Sequence, residues 1–200
     1  MKSNRFTTAQ LTLLGLMAAI LLLMAYTPLG YLNIGPLAIS FNVIPVAISA
    51  VVLGPVGGAV AGAIFGLTSF LQCIGVGGSS AMGVVLFGFV PRLLDGICLG
   101  FIFKGMRKVS NTYVACAVTG FFSAFLNTLF FMAALVGLFG NTDYVKNLMG
   151  GHNIIIGCCL MVGINAVCEM VSSTVITGAV GAALAKAHLI PAAQLGREKA

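Results

Sequence analysis

An arginine inside a long uncharged stretch constrains the fold of this sequence more than any other feature. From Ala81 to Phe103 every residue is apolar or small apart from Arg92 and Asp95. A run of this length has the dimensions of a transmembrane helix. A cation inside such a helix is costly unless it faces a partner or a water-filled cavity. Arg92 is therefore a candidate functional residue. Alternatively, Asp95, one helical turn further on, could neutralise its charge, and Arg92 would then have only a structural role.

The composition indicates an integral membrane protein. Of the 200 residues, 60% are hydrophobic and 7% are charged, whereas soluble domains carry about 25% charged residues. The net charge of +6 does not indicate a nucleic-acid partner, because most cations lie in short loops and tails where membrane topology accounts for them. The spans use nearly the whole chain, which leaves no room for a soluble catalytic domain.

The sequence predicts an all-α, six-helix membrane bundle in a single domain, residues 1–200. The expected spans are approximately residues 7–26, 37–53, 56–73, 81–103, 112–139 and 154–187. Gly54-Pro55 is expected to form a tight turn, and residues 104–111 a basic link. Lysine and arginine precede the first helix and follow the fourth and the sixth, so both termini are expected on the cytoplasmic side. No cleavage site follows the first apolar run, which is expected to be retained.

Small residues recur at helical spacing in two places. Gly54, Gly58, Gly62 and Gly66 form a stripe along the third predicted helix, and such stripes allow close helix packing. For this stripe we favour packing inside the bundle over contact with another protein. The first helix carries a second small pair at positions 15 and 19.

Polar side chains within the spans are expected to meet at a common depth. With a rise of about 1.5 Å per residue, Arg92, Asn127 and Asn165 fall at similar distances from the outer ends of their helices. Further candidates are Asn42 in the second helix and Gln72 at the outer end of the third. Together these positions predict a polar pocket that opens outwards.

The acidic residue of the last helix has two possible roles. Glu169 lies four residues after Asn165 and therefore on the same helix face. It could pair with Arg92, or it could bind a proton. A structural role as a partner for Arg92 and direct contact with a ligand both remain open.

The residue types at these positions suit a small, polar organic anion. Arginine presents a planar fork that matches a carboxylate or a phosphate, and amides supply donors and acceptors for amides and hydroxyls. Aromatic side chains that could form apolar walls are Tyr26, Tyr31, Phe41, Phe87 and Phe131. No metal or cofactor is expected, because the six cysteines lack metal-ligand spacing and no phosphate-binding loop is present. A membrane-embedded enzyme or a channel is a weaker alternative, since neither a catalytic cluster nor a continuous polar path is evident.

Several motifs resemble the substrate-specific S components of energy-coupling factor (ECF) vitamin transporters. These are Gly15-Leu16-Met17-Ala18-Ala19, the block Leu53-Gly54-Pro55-Val56-Gly57-Gly58-Ala59-Val60-Ala61-Gly62, and Phe65-Gly66-Leu67-Thr68-Ser69. Pro91-Arg92, Asn127-Thr128 and Asn165-Ala166-Val167-Cys168-Glu169 are most similar to the pantothenate-specific members. Components for riboflavin, folate or a pyrimidine share the scaffold; the absence of tryptophan disfavours riboflavin.

The resemblance implies a function and partners. An S component resides in the bacterial cell membrane, binds its vitamin from outside and docks on a membrane coupling protein that carries two cytoplasmic ATPases. It then topples in the membrane and releases the vitamin inside. ATP hydrolysis would belong to those ATPases, so this chain is not expected to be an enzyme. In the family an Ala-xxx-Ala pair on the first helix forms the docking face, which implies that role for Gly15 and Ala19 here.

Overall fold

The computed structural model describes residues 7–28, 30–33, 38–73, 88–139, 154–191 and 194. This part of the chain forms helices and one short hairpin: α1 Thr8–Tyr26, β1 Tyr31–Asn33, β2 Ala38–Ser40, α2 Val43–Cys73, α3 Val90–Val109, α4 Thr112–Phe139 and α5 Ile154–Lys186. Four stretches are long and apolar enough to cross a membrane: Thr8–Tyr26, Val43–Gln72, Thr112–Gly137 and Asn165–Lys186. The expectation of an all-helical integral membrane protein is confirmed.

Helix α2 reverses its direction at Gly54, which divides it into a first arm, residues 43–53, and a second arm, residues 55–73. Gly54 has φ 71° and ψ −159°, a conformation that glycine adopts without steric cost. A Cβ at Gly58 would lie 3.0 Å from Cβ of Ala50, whereas residues eight apart in a continuous helix are separated by about 12 Å. The two arms therefore pack side by side, and Pro55 occupies the first turn of the second arm, where its missing N–H is tolerated.

The first arm of α2 is the central helix of the bundle. Every residue from position 42 to position 54 is buried, and α2 contacts all four other helices. Its small residues, among them Ala47 and Ala50, are completely enclosed and allow neighbouring helices to approach. The Ser49 hydroxyl donates to the Pro45 carbonyl at 2.8 Å, so this buried polar group is satisfied within its own helix.

The glycine stripe packs the second arm of α2 against α3. Added Cβ atoms at Gly58 and Gly62 would overlap the backbone carbonyls of Gly96 and Arg92, and Gly96 in turn faces Gly58. Backbones approach this closely only where neither helix carries a side chain at the contact. The prediction that this stripe serves internal packing is confirmed.

Helix α1 packs on α2 along one side only. Thr7 caps its first turn, since the Thr7 hydroxyl accepts from the Gln10 N–H at 3.3 Å. Its buried residues are Met17, Leu21 and Ala25, which fall on one helix face at a spacing of four. The opposite face is exposed and includes both Gly15 and Ala19.

Helices α4 and α5 are joined by buried hydroxyl groups. The Ser123 and Ser173 hydroxyls lie 3.0 Å apart, and Ser123 also donates to the carbonyl of Val43 at 3.4 Å. Gly120 lets the α5 backbone approach, because a Cβ at this position would overlap the Ser173 carbonyl. These contacts connect α4, α5 and the start of α2.

The second helix was expected from residue 37, and this boundary is wrong. Ala38–Ser40 is instead a strand that pairs antiparallel with Tyr31–Asn33, with Tyr31 opposite Ser40. The Phe41 N–H donates to the Gly30 carbonyl at 3.0 Å and closes the base of this hairpin. Pro45 falls in the first turn of α2, a position that needs no donor, so the helix begins at Val43.

The fourth expected helix differs from α3 at its end. Pro91 lies in the first turn of α3, which begins at Val90, so within α3 Arg92 is close to the N-terminus. Residues 81–87 lie outside the described part of the chain. The expected basic link is wrong over residues 104–109, because α3 continues to Val109 with Arg107 and Lys108 in its last turn. Cations there are favoured by the negative end of the helix dipole.

Three segments lie together at one end of the bundle: the start of α1, the Gly54 turn and the C-terminal segment. A cleft at this end is lined by residues of α1 between Thr7 and Leu16, by Val52, and by His188, Leu189 and Pro191. The Gln194 side chain lies directly against Gly54. The hairpin and the N-terminus of α3 lie towards the opposite end.

The glycine contact generates a prediction about stability. We expect Gly62→Ala to lower the melting temperature of the detergent-solubilised protein, because the new methyl group would overlap the Arg92 carbonyl; overpacking typically costs about 1–3 kcal/mol. Gly15→Ala is the matched control, since nothing lies within 4 Å of a Cβ there. Equal melting temperatures for the two variants would contradict this account of the α2–α3 contact.

Candidate functional site

Arg92 lies between two aromatic rings inside the bundle. Its side chain is 9% exposed, and its guanidinium carbon lies 5.6 Å from the ring centre of Phe65 and 4.7 Å from that of Phe131. Both distances are within the range of cation–π attraction, which strengthens when the cation is removed from water. The arginine is therefore held by α2 on one side and by α4 on the other.

The helix packing described above accounts for this position. Gly62 brings the backbone of the second arm of α2 against the backbone of Arg92. Phe65 lies one turn further along that arm and reaches the guanidinium. On α4, Phe131 follows Asn127 by four residues, which places both side chains on the same helix face. Arg92 thus contacts α4 through Phe131.

Two buried carboxylates share the surroundings of Arg92. Asp95 is fully buried, and neither of its carboxylate oxygens has a hydrogen-bond partner among the described residues. Glu169 is 6% exposed, and its Oε1 accepts a hydrogen bond from the Ser40 N–H at 2.5 Å. Both carboxylates interact electrostatically with Arg92. The site therefore contains one cation and two acids contributed by α3 and α5.

The three asparagines predicted for the site lie on different elements. Asn127 is buried, and its Oδ1 has no partner within the described segments. Asn42 lies just before α2 and is completely buried. Neither of its amide atoms has a hydrogen-bond partner within the described segments. Asn165 is half-buried on α5, one turn before Glu169. Buried polar atoms without protein partners are uncommon and often mark the position of a ligand or an ordered water.

Two of the predicted site residues lie at the contact between α1 and α2. Gln72 is exposed, and its Nε2 donates to the Ala25 carbonyl at 2.7 Å. Tyr26 follows Ala25 at the end of α1 and is 64% exposed. The contact that the structure gives Gln72 is therefore with α1 and not with Arg92.

Two contributors to the site were missing from the sequence prediction. Phe65 was assigned only to a helix, yet its position one turn after Gly62 indicates the face that borders α3. Ser40 contributes a backbone N–H, which no side-chain pattern reveals. The segment containing Ser40 was moreover expected to be helical and not a strand.

The chemistry of the site suits an anion that also forms hydrogen bonds. The N-terminus of α3 lies beside Arg92, and the positive end of a helix dipole favours negative charge. Buried amides supply donors and acceptors. Among the described residues, no group of histidine, cysteine and acidic side chains could hold a metal ion.

The fold and the site are those of a multi-pass membrane protein that encloses a polar site between its helices. A family model described as "ECF transporter, substrate-specific component" matches residues 9–181. This chain belongs to that family, so it is a transporter component of the cell membrane and not an enzyme.

Two relatives carry names that specify a substrate. The chain is 29% identical over 170 residues to "Pantothenate transporter PanT" of Leuconostoc mesenteroides. The aligned region covers 79% of this chain and 80% of that relative. The chain is 26% identical over 162 residues to "Pantothenic acid transporter PanT" of Lactococcus lactis, which covers 72% and 76% respectively. The similarity in both cases spans most of the two chains.

The contact between Arg92 and Phe131 can be tested by a double-mutant cycle. We expect Phe131→Leu to lower the melting temperature more in the wild-type background than in an Arg92→Met background, because the cation–π term, about 0.5–2 kcal/mol, is lost only in the former. Phe101→Leu is the control, since Phe101 is 62% exposed on α3. Additive effects of Phe131→Leu and Arg92→Met would show that the ring does not stabilise the cation.

Proposed function

We propose that this chain is the substrate-binding subunit of an ATP-driven ECF vitamin transporter and that its substrate is pantothenate. The observation that carries the proposal is the buried guanidinium of Arg92, which lies between the rings of Phe65 and Phe131. Membership of the S-component family and the names of both relatives support the same conclusion.

Pantothenate carries a carboxylate, an amide and two hydroxyls, and the site offers a complement for each. The carboxylate would bind Arg92 close to the N-terminus of α3, where the helix dipole favours an anion. Asn127, Asn165 and Asn42 would hydrogen-bond the amide and the hydroxyls. A flat aromatic vitamin fits less well, because the rings of Phe65 and Phe131 already pack on the guanidinium.

The remaining site residues would act at the margins of the ligand. Glu169 would hold the hairpin in place through Ser40 and help to orient Arg92. Gln72 and Tyr26 would contact the part of the ligand that extends towards the α1–α2 interface. In this arrangement all five helices contribute to the vitamin site, α1 only through Tyr26 at its end.

We propose six spans with both termini in the cytoplasm. The two arms of α2 would cross separately, because the chain reverses at Gly54. The start of α1, the Gly54 turn and residues 188–191 lie at one end of the bundle. α3 ends with Arg107 and Lys108, and α5 ends with Lys186. The positive-inside rule would make this end cytoplasmic and would place Arg92 and the hairpin towards the outside.

The partners would be a membrane coupling protein and two cytoplasmic ATPases. Gly15 and Ala19 are both exposed on the face of α1 that does not contact α2. Small residues on an exposed helix face allow another helix to approach closely. These two residues would therefore form the docking face, separate from the vitamin site.

The ligand assignment can be tested by isothermal titration with pantothenate. We expect Arg92→Ala to abolish measurable binding. Arg92→Lys should also weaken binding strongly, since lysine retains the charge but lacks the planar fork. Asn127→Ala and Asn165→Ala should each weaken binding by about 1–3 kcal/mol, the cost of an unsatisfied buried partner.

The control for this series is Asn111→Ser. Asn111 is exposed and caps α4 by accepting from the Val114 N–H at 2.9 Å, and serine also suits a capping position. Wild-type affinity in Arg92→Ala would refute the role of Arg92 as the carboxylate anchor. Unchanged affinity in both asparagine variants would place the ligand elsewhere.

Docking can be separated from vitamin binding. In Gly15→Trp and Ala19→Trp we expect the isolated subunit to retain its pantothenate affinity, while co-purification of the coupling protein and ATP-driven uptake fail, because the indole would hold the partner helix away. Val175→Trp is the control on α5, where Val175 is 63% exposed. Normal assembly and uptake in the α1 variants would show that docking uses another surface.

A further inference from the structure

When both acids are ionised, the charged groups around Arg92 have a net negative charge, which opposes the binding of an anion. Among the described residues, α3 contributes Arg92 and Asp95 to the site and α5 contributes Glu169. With both acids ionised the buried group carries one more negative than positive charge. An anionic ligand would then be the third negative group to share a single guanidinium.

Burial strengthens the repulsion that results from this excess of negative charge. Asp95 is completely enclosed and Glu169 nearly so, and like charges repel far more strongly inside a protein than in water. A guanidinium can form two-pronged contacts with a carboxylate, but it has one charge to compensate three. Binding of another anion costs the least free energy when a proton neutralises one of the acids.

We propose that the site takes up a proton together with its anionic ligand and that Glu169 carries this proton. The inference rests on the proposed function, because it takes the ligand to be a carboxylate. With the extra proton on Glu169, the occupied site has the same net charge as the empty site with both acids ionised. Release and proton loss are then coupled events.

Glu169 suits this role better than Asp95 because of its position. Its carboxylate contacts the backbone of the hairpin at Ser40, towards the end of the bundle that would face outside. Asp95 is 0% exposed behind Arg92 and has no hydrogen-bonding contact in the described part of the chain through which a proton could pass. Asp95 would remain a fixed neighbour of the arginine.

Few other titratable groups face Glu169 from the elements around it. Neither α1, α2 nor α4 contains a charged residue, and the strands contain none. Tyr113 and Cys116 lie in the first turns of α4, far along the helix from Asn127, and Tyr31 on β1 and Cys73 at the end of α2 are neutral near pH 7. The connection between α4 and α5 contains Asp143, Lys146 and His152, of which histidine titrates near neutral pH.

The test is isothermal titration of the full-length protein with pantothenate in buffers that differ in ionisation enthalpy. The dependence of the observed enthalpy on the buffer gives the number of protons taken up on binding. Between about pH 6 and pH 8.5 the ligand carboxylate stays ionised, so uptake belongs to the protein. Because the complex holds the extra proton, affinity should fall as pH rises, by up to tenfold per pH unit.

Three comparisons identify the proton carrier. The alcohol analogue of pantothenate, in which a hydroxymethyl group replaces the carboxylate, should bind without proton uptake. Glu169→Gln retains an acceptor for the Ser40 N–H and should bind pantothenate, at whatever affinity, without uptake and without the pH dependence. His152→Gln should retain uptake.

The outcomes distinguish this inference from the proposed function. Pantothenate binding with no proton uptake overturns the inference and leaves the function intact. Uptake that persists in Glu169→Gln, or that disappears in His152→Gln instead, also overturns the assignment to Glu169. Failure of the wild-type protein to bind pantothenate at any pH in this range overturns the proposed function itself.

Discussion

The backbone contact between the second arm of α2 and α3 is the interaction on which the site depends. Gly58 and Gly62 meet Gly96 and the backbone of Arg92 with no side chain between them. In a membrane there is little hydrophobic force to drive helices together, so close packing supplies much of the association energy. The same contact fixes the depth of Arg92 and brings Phe65 over its guanidinium. The helix packing and the surroundings of Arg92 therefore depend on one set of glycines.

A buried cation in a helix bundle must be stabilised in the absence of ligand as well as in its presence. Two aromatic faces and two carboxylates accomplish this around Arg92. Each compensating group also limits what the arginine can bind, since the acids compete with an incoming carboxylate. Glu169 connects this balance to the hairpin through Ser40, so electrostatics in the bundle and the position of the hairpin are linked.

The sequence predicted several members of the candidate site and missed others for physical reasons. Arg92 and Glu169 stand out because charges are rare within apolar spans, and the structure places them within electrostatic reach. Phe65 could not be singled out, because an aromatic residue in a membrane span suits lipid and core equally. Ser40 takes part through its backbone, which every residue has.

The sequence by itself determined that the chain is an apolar helical membrane protein, that it turns at Gly54, and that charged residues lie inside it. These properties follow from composition, glycine conformation and the cost of burying charge. Only the tertiary structure decided that the first arm of α2 is central and α1 peripheral. Lipid and protein interior are almost equally apolar, so a membrane helix shows little difference between its inner and outer faces. Packing, and not hydropathy, selects the face that turns inwards.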